Sequence, residues 1–263
     1  MPRPMLMPPR LASALPCTPP PALELDENAL APLNNLADRS PGLARWRSFH
    51  AGGKVIPSFV LIGPRGRDLP IRLALIAGLS AGDTVATAAL AKLLIELDLA
   101  SLLAQDYALF GYPQANPHPW DGDGRAFTND FWRGSIDPAV RFFEQELERN
   151  EFDAVVFIRG DQPISGFQIR TCSRLIATEV LWPAVELAQR FVPLASEPIR
   201  LWLPSGFEPA SIFNTGHLRP RPFCLSLCTP RQQPGENQIS AIVFSLKQIL
   251  QGYRAALRYA ERL

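Results

Sequence analysis

The sequence has almost no excess of either charge: 26 Lys and Arg face 25 Asp and Glu, for a net charge of +1. Without a large field of one sign, composition points to neither nucleic acid nor an anionic membrane surface as a partner. Cysteines at metal-binding spacing are also lacking. Cys17, Cys172, Cys224 and Cys228 include no C-x-x-C pair and fit no zinc-finger pattern. Cys224 and Cys228 share an apolar run that reads as a strand. Four residues along a strand span roughly 13 Å, too far for a disulfide. The cysteines therefore read as small buried apolar residues, in keeping with a reducing compartment.

Long uninterrupted apolar stretches are missing as well. The most apolar long window, Ala86 to Ala104, carries Lys92, Glu96 and Asp98, which excludes a membrane span there. The opening residues MPRPMLMPPRLASALPC contain no sustained hydrophobic region, because prolines interrupt it. A cytoplasmic protein is the expectation. The motifs H-E-x-x-H and G-x-x-x-x-G-K-[ST] are absent, and there is no internal repeat.

What is present is an ordinary globular composition, 47% hydrophobic and 19% charged over 263 residues, enough for one large domain. Residues 1–22 are rich in Pro and Met and read as a disordered tail; residues 23–263 read as the domain. Leu23–Leu36 and Leu43–Phe49 give weak helical hints. Val55–Gly63 and Ile71–Gly78 read as neighbouring strands, Tyr107–Tyr112 and Phe152–Arg159 as further strands, the last a central one. Asp83 is a natural N-cap for a helix over Thr84–Leu97, and Asp137-Pro138 opens another. A long loop rich in Pro, Gly, Asn and Asp runs from Pro113 to Trp132. A helix from about Cys172 to Arg190, strands near Ile199–Leu203 and at Phe223–Thr229, and a closing helix over Gln238–Glu261 complete the pattern. Alternating strands and helices predict a single α/β domain, with a mixed, mostly parallel sheet covered by helices on both faces.

The order of these segments carries a resemblance. VIPSFVLIGPRGRDLPIRLALIAGLSAGD (55–83), NPHPWDGDGRAFTNDFWRGS (116–135), FDAVVFIRGDQPISGF (152–167) and CLSLCTP (224–230) together resemble the zinc metallocarboxypeptidase superfamily. The likeness is to the branch that contains succinylglutamate desuccinylase and aspartoacylase. It implies a zinc-dependent hydrolase in which a His and a Glu from the first turn and a His from a later strand bind the metal. A second Glu serves there as general base.

This sequence departs from that pattern at each position. The zinc-ligand positions fall on Ser80, Asp83 and Arg159, and the general-base position on Cys228. The pair that binds substrate carboxylate falls on Thr128-Asn129, and Arg125 is the one loop arginine left for an anion-binding role. A serine hydroxyl is a poor zinc donor, and arginine cannot lose its proton. At about 4 Å and an effective dielectric near 20, a +1/+2 pair is unfavourable by roughly 8 kcal/mol before screening. The expectation is therefore no zinc and no other cofactor, no catalytic residue, and a catalytically inactive protein. Its former cleft would take a small carboxylate or a protein partner, with Arg159 and Arg125 as the anion contacts. Asp83 would either cap its helix or pair with Arg159. The alternative is an active hydrolase, a carboxypeptidase or an N-acyl amino acid amidohydrolase, with a rearranged site. His50, His118 and His217 lie in unrelated segments and read as loop or surface residues, and Cys228 reads as buried and inert.

Overall fold

Strands rich in Val, Ile, Leu and Phe, interrupted by helices with capped N-termini, assemble into one eight-stranded sheet. The structure, a computed structural model, describes residues 27–51, 53–65, 69–80, 82–116, 125–202 and 211–260. The strands are β1 (Leu43–Ala51), β2 (Lys54–Ile62), β3 (Ile71–Ile76), β4 (Tyr107–Tyr112), β5 (Ala154–Gln162), β6 (Phe167–Thr171), β7 (Leu194–Leu201) and β8 (Phe223–Pro230). Their order across the sheet is β1-β2-β4-β3-β5-β8-β6-β7. The central run β4-β3-β5-β8 is parallel throughout, and β6-β7 is parallel too; β1-β2, β2-β4 and β8-β6 are antiparallel.

The helices are α1 (Glu27–Ala37), α2 (Thr84–Leu99), α3 (Arg125–Thr128), α4 (Pro138–Arg149), α5 (Arg174–Ile176), α6 (Trp182–Ala188) and α7 (Gly235–Ala260). A π-helical turn, Ala177–Leu181, joins α5 to α6. On one face α1, α2, α6 and α7 enclose a core that includes Leu73, Leu90, Val156, Leu225 and Ile242. On the other, α4 and the loops after β4 and β7 enclose an aromatic core around Phe110, Phe131, Phe143 and Phe157. Burial on both faces explains why Ala154–Ile158 is an unbroken apolar run. Asp137 accepts hydrogen bonds from Ala139 N at 2.7 Å and Val140 N at 3.4 Å, capping α4 where the sequence predicts it.

Two expectations need correction. Leu43–Phe49 is not helical but forms most of β1. Pairing with β2 overrides the helical spacing, with a register slip between Arg45 and Ser48. The strands at Val55–Gly63 and Ile71–Gly78 are not neighbours, since β4 lies between them. The segment before the helix expected at about Cys172 contains β6, and that helix starts at Arg174, capped by the Ser173 hydroxyl on Ile176 N. The Pro- and Met-rich residues 1–22 lie outside the described residues.

Candidate functional site

In an open α/β sheet, the carboxyl ends of parallel strands face loops rather than packed elements, and sites form there. The ends of β3, β5 and β8 lie side by side here. Ile76 is in register with Phe157, and Arg159 with Cys228. The turn after β3 carries Ser80 and Asp83. It is held by the chain after β4, through Ala115 N to Ala77 O at 2.9 Å, Asn116 N to Gly78 O at 2.8 Å and Asn116 Nδ2 to Leu79 O at 3.2 Å. Gly78 has a φ of +64°, and a Cβ there would lie 2.8 Å from Pro113 O, so only glycine allows this approach.

Asp83 is buried, at 6% exposure, and caps α2 by accepting from Ala86 N at 3.0 Å. Gly160 N–H, from the end of β5, donates to both carboxyl oxygens, at 3.2 Å and 3.0 Å. This clamp explains the glycine, because a Cβ at 160 would lie 2.6 Å from Asp83 Oδ1 and 2.6 Å from Val85 Cβ. Burial pushes the Asp83 carboxyl up to about 7; the N–H groups of Ala86 and Gly160 oppose it, Asp161 adds to it, and Arg159 opposes it least. Of the two roles expected for Asp83, the cap is the one present, and the strand ends are joined by a backbone N–H rather than by an arginine bridge.

Arg159, half-buried, lies with its guanidinium carbon 5.9 Å from the centre of the Phe213 ring. Its Nε is buried and has no hydrogen-bond partner among the described residues. The Phe213 segment is fixed by Ile212 N to Thr128 O at 2.9 Å and by Trp132 Nε1 to Ser211 O at 3.1 Å. Thr128 thus belongs to the wall that carries Phe213, and it is buried; Asn129 follows it, half-buried. Arg125 begins α3, but its side chain lies outside the described residues, as does His118. Cys228 is 2% exposed, with its Sγ 3.6 Å from Ser226 Oγ. His50 is exposed on β1, and His217 is exposed against the Trp132 ring.

Sequence reasoning missed Gln238, which is 1% exposed. Its Oε1 accepts from Asp161 N at 3.0 Å and Thr229 Oγ1 at 2.7 Å, and its Nε2 donates to Asp161 Oδ1 at 2.8 Å and Gln233 O at 2.8 Å. Three of these bonds tie the ends of β5 and β8 to the first turn of α7, and the fourth holds the turn before it. A glutamine in a helical first turn carries no signal of such a role in sequence.

Compared by sequence, the chain matches no family model and no curated protein. Compared by structure, it has the fold of the metallocarboxypeptidases. A metallo-carboxypeptidase from Burkholderia cenocepacia superposes with a TM-score of 0.69 at 13% identity, over 87% of this chain and 69% of that one. A metallo-carboxypeptidase from Pseudomonas aeruginosa gives 0.63 at 17% identity, over 86% and 68%. Thrombin activatable fibrinolysis inhibitor gives 0.62 at 12%, over 82% and 71%. At such identities the likeness is one of fold. Among the described residues no helix is long and apolar enough to cross a membrane.

Proposed function

We propose that this chain is a non-catalytic protein on the carboxypeptidase fold that binds a small carboxylate at the ends of β3, β5 and β8. The observation that carries the reading is the contrast between two adjacent groups. Both Asp83 oxygens are engaged by backbone N–H groups, while the neighbouring Arg159 keeps a buried Nε with nothing to bond among the described residues. A buried donor without a partner costs about 1–3 kcal/mol, which an anionic ligand would recover.

Zinc does not fit these residues. A catalytic zinc needs about three deprotonated or neutral donors. Asp83 holds its proton up to about pH 7 and already serves two N–H donors. Arg159 adds a permanent positive charge at the same strand ends. The equivalence of Ser80, Asp83 and Arg159 with zinc-ligand positions, of Cys228 with the general base, and the kinship to the desuccinylase and aspartoacylase branch belong to this proposal, as does a cytoplasmic location.

The Pseudomonas neighbour is described in complex with (2-guanidinoethylmercapto)succinic acid. Succinate is therefore the first probe. Calorimetric titration should detect succinate binding to the wild-type chain and at least ~10-fold weaker binding to Arg159→Ala. Equal binding by both would remove Arg159 from the site. Turnover of N-acyl amino acids by the zinc-loaded protein would instead support an active hydrolase.

A further inference from the structure

The cysteines sort into two environments. Cys228 lies at the site end of β8, opposite Gln168 of β6. Cys224 lies at the other end, in register with Val155 near the start of β5. The antiparallel register of β6 on β8 runs from Gln168↔Cys228 to Thr171↔Leu225. One further step sets Cys172, the residue after β6, opposite Cys224. The contact is present: Cys224 N donates to Cys172 Sγ at 3.4 Å. Opposed residues of an antiparallel pair have Cα atoms about 4.5–5.5 Å apart. A disulfide spans about 4.4–6.8 Å, so these two cysteines can close one without moving the sheet.

Their surroundings differ in the way a reactive pair requires. Cys172 is half-buried and reachable from solvent, whereas Cys224 is 1% exposed, with its Sγ 2.9 Å from Thr215 Oγ1. All three described cysteines are free thiols. We propose that Cys172 and Cys224 are a reversible redox couple, in which a peroxide oxidises Cys172 and Cys224 resolves it as a cross-strand disulfide.

In the first step the Cys172 thiolate attacks a peroxide oxygen. The O–O bond breaks, the sulfur becomes a sulfenic acid, and hydroxide leaves. In the second the Cys224 sulfur attacks the sulfenic sulfur, and water leaves with the Cys224 proton. With the proton that Cys172 first released, the sum is two thiols and one hydrogen peroxide giving one disulfide and two waters. A dithiol reductant reverses it. The electrostatics agree with this order. The hydrogen bond from Cys224 lowers the Cys172 thiol to about 6, against the effect of burial, and the Cys224 N–H and Arg221 add to the lowering. Cys224 is raised well above its ordinary value, by Cys172 first and burial second, so it waits as the thiol.

The test is peptide mapping of the full chain without reduction, after stoichiometric hydrogen peroxide and alkylation. The expected result is a linked Cys172–Cys224 peptide pair, lighter by two hydrogen atoms than its parts and released by dithiothreitol. Cys224→Ser should stop at a sulfenic acid on Cys172 that dimedone traps. In the untreated protein, Cys172 should react with iodoacetamide at least ~10-fold faster than Cys228 at neutral pH. Peroxide that oxidises Cys17 while leaving Cys172 and Cys224 unlinked would overturn the proposal, as would a sulfenic acid on wild-type Cys172 that persists. If Cys224→Ser fails to fold, the wild-type map decides alone.

Discussion

Glu146 and Asp83 are both withdrawn from water, at 1% and 6% exposure, yet their partners differ in kind. Glu146, on α4, receives Tyr112 OH at 2.7 Å, Trp46 Nε1 at 2.9 Å, Arg47 Nη1 at 3.2 Å and Asn150 Nδ2 at 3.2 Å. Side chains from β1, β4 and its own helix converge on it, and one of them is a cation. Asp83 receives only backbone N–H groups, and the cation nearby forms no ion pair with it. The first arrangement neutralises a buried charge and locks an edge of the sheet. The second leaves an acid that favours its proton beside an arginine with an unused donor. Unspent polar capacity of this kind is what the proposed carboxylate site would use.

The largest effect should come from dismantling the satisfied cluster. Glu146→Ala leaves the buried Tyr112 hydroxyl and the Trp46 N–H without their acceptor. Urea unfolding should report a loss of about 3 kcal/mol. Next is Gly160→Ala, whose methyl would meet Asp83 and Val85. The expected loss is about 2 kcal/mol, and Asp83→Ala in the same chain should relieve part of it, a coupling a double-mutant cycle would read.

Asp83→Asn separates the two carboxyls by pH. The folded carboxyl titrates at about 7 against an ordinary value of 3.8. Between those values the folded chain holds a proton that the unfolded chain has lost, so wild-type stability falls as pH rises through the window. That contribution is complete below about pH 4 and is lost by about pH 7. The Asn variant should lack this fall, and the difference between the two curves should change by at most roughly 1.4 kcal/mol per pH unit. The smallest effect on stability is expected of Arg159→Ala, within about 1 kcal/mol, because an unpaired donor and one ring contact are all that go. It should also move the Asp83 transition to higher pH, since Arg159 opposes the upward shift.

Legibility in the sequence followed how local the deciding physics was. The caps Asp83 and Asp137, the strand at Tyr107–Tyr112 and the closing helix were readable because spacing and capping chemistry lie within a few residues of each other. The α/β sheet with helices on both faces followed from their alternation. Strand order was not readable. That β4 separates β2 from β3, and that a slipped register turns Leu43–Phe49 into an edge strand, depends on pairings between distant segments. At the site, the resemblance set Asp83, Arg159 and Cys228 at equivalent site positions; in the fold β3, β5 and β8 end side by side, with Arg159 in register with Cys228. The partner of Asp83 was not visible, because it is the N–H of Gly160, and a backbone group has no letter. Gln238 and the facing of Cys172 with Cys224 escaped because they depend on contacts between distant segments.

Whether these strand ends hold zinc separates a non-catalytic protein from a hydrolase most directly. The purified chain would be equilibrated with excess zinc, desalted and measured for metal by mass spectrometry. The expected result is well under one zinc per chain, with no change in Asp83→Asn. One tightly held zinc per chain that Asp83→Asn releases would contradict it.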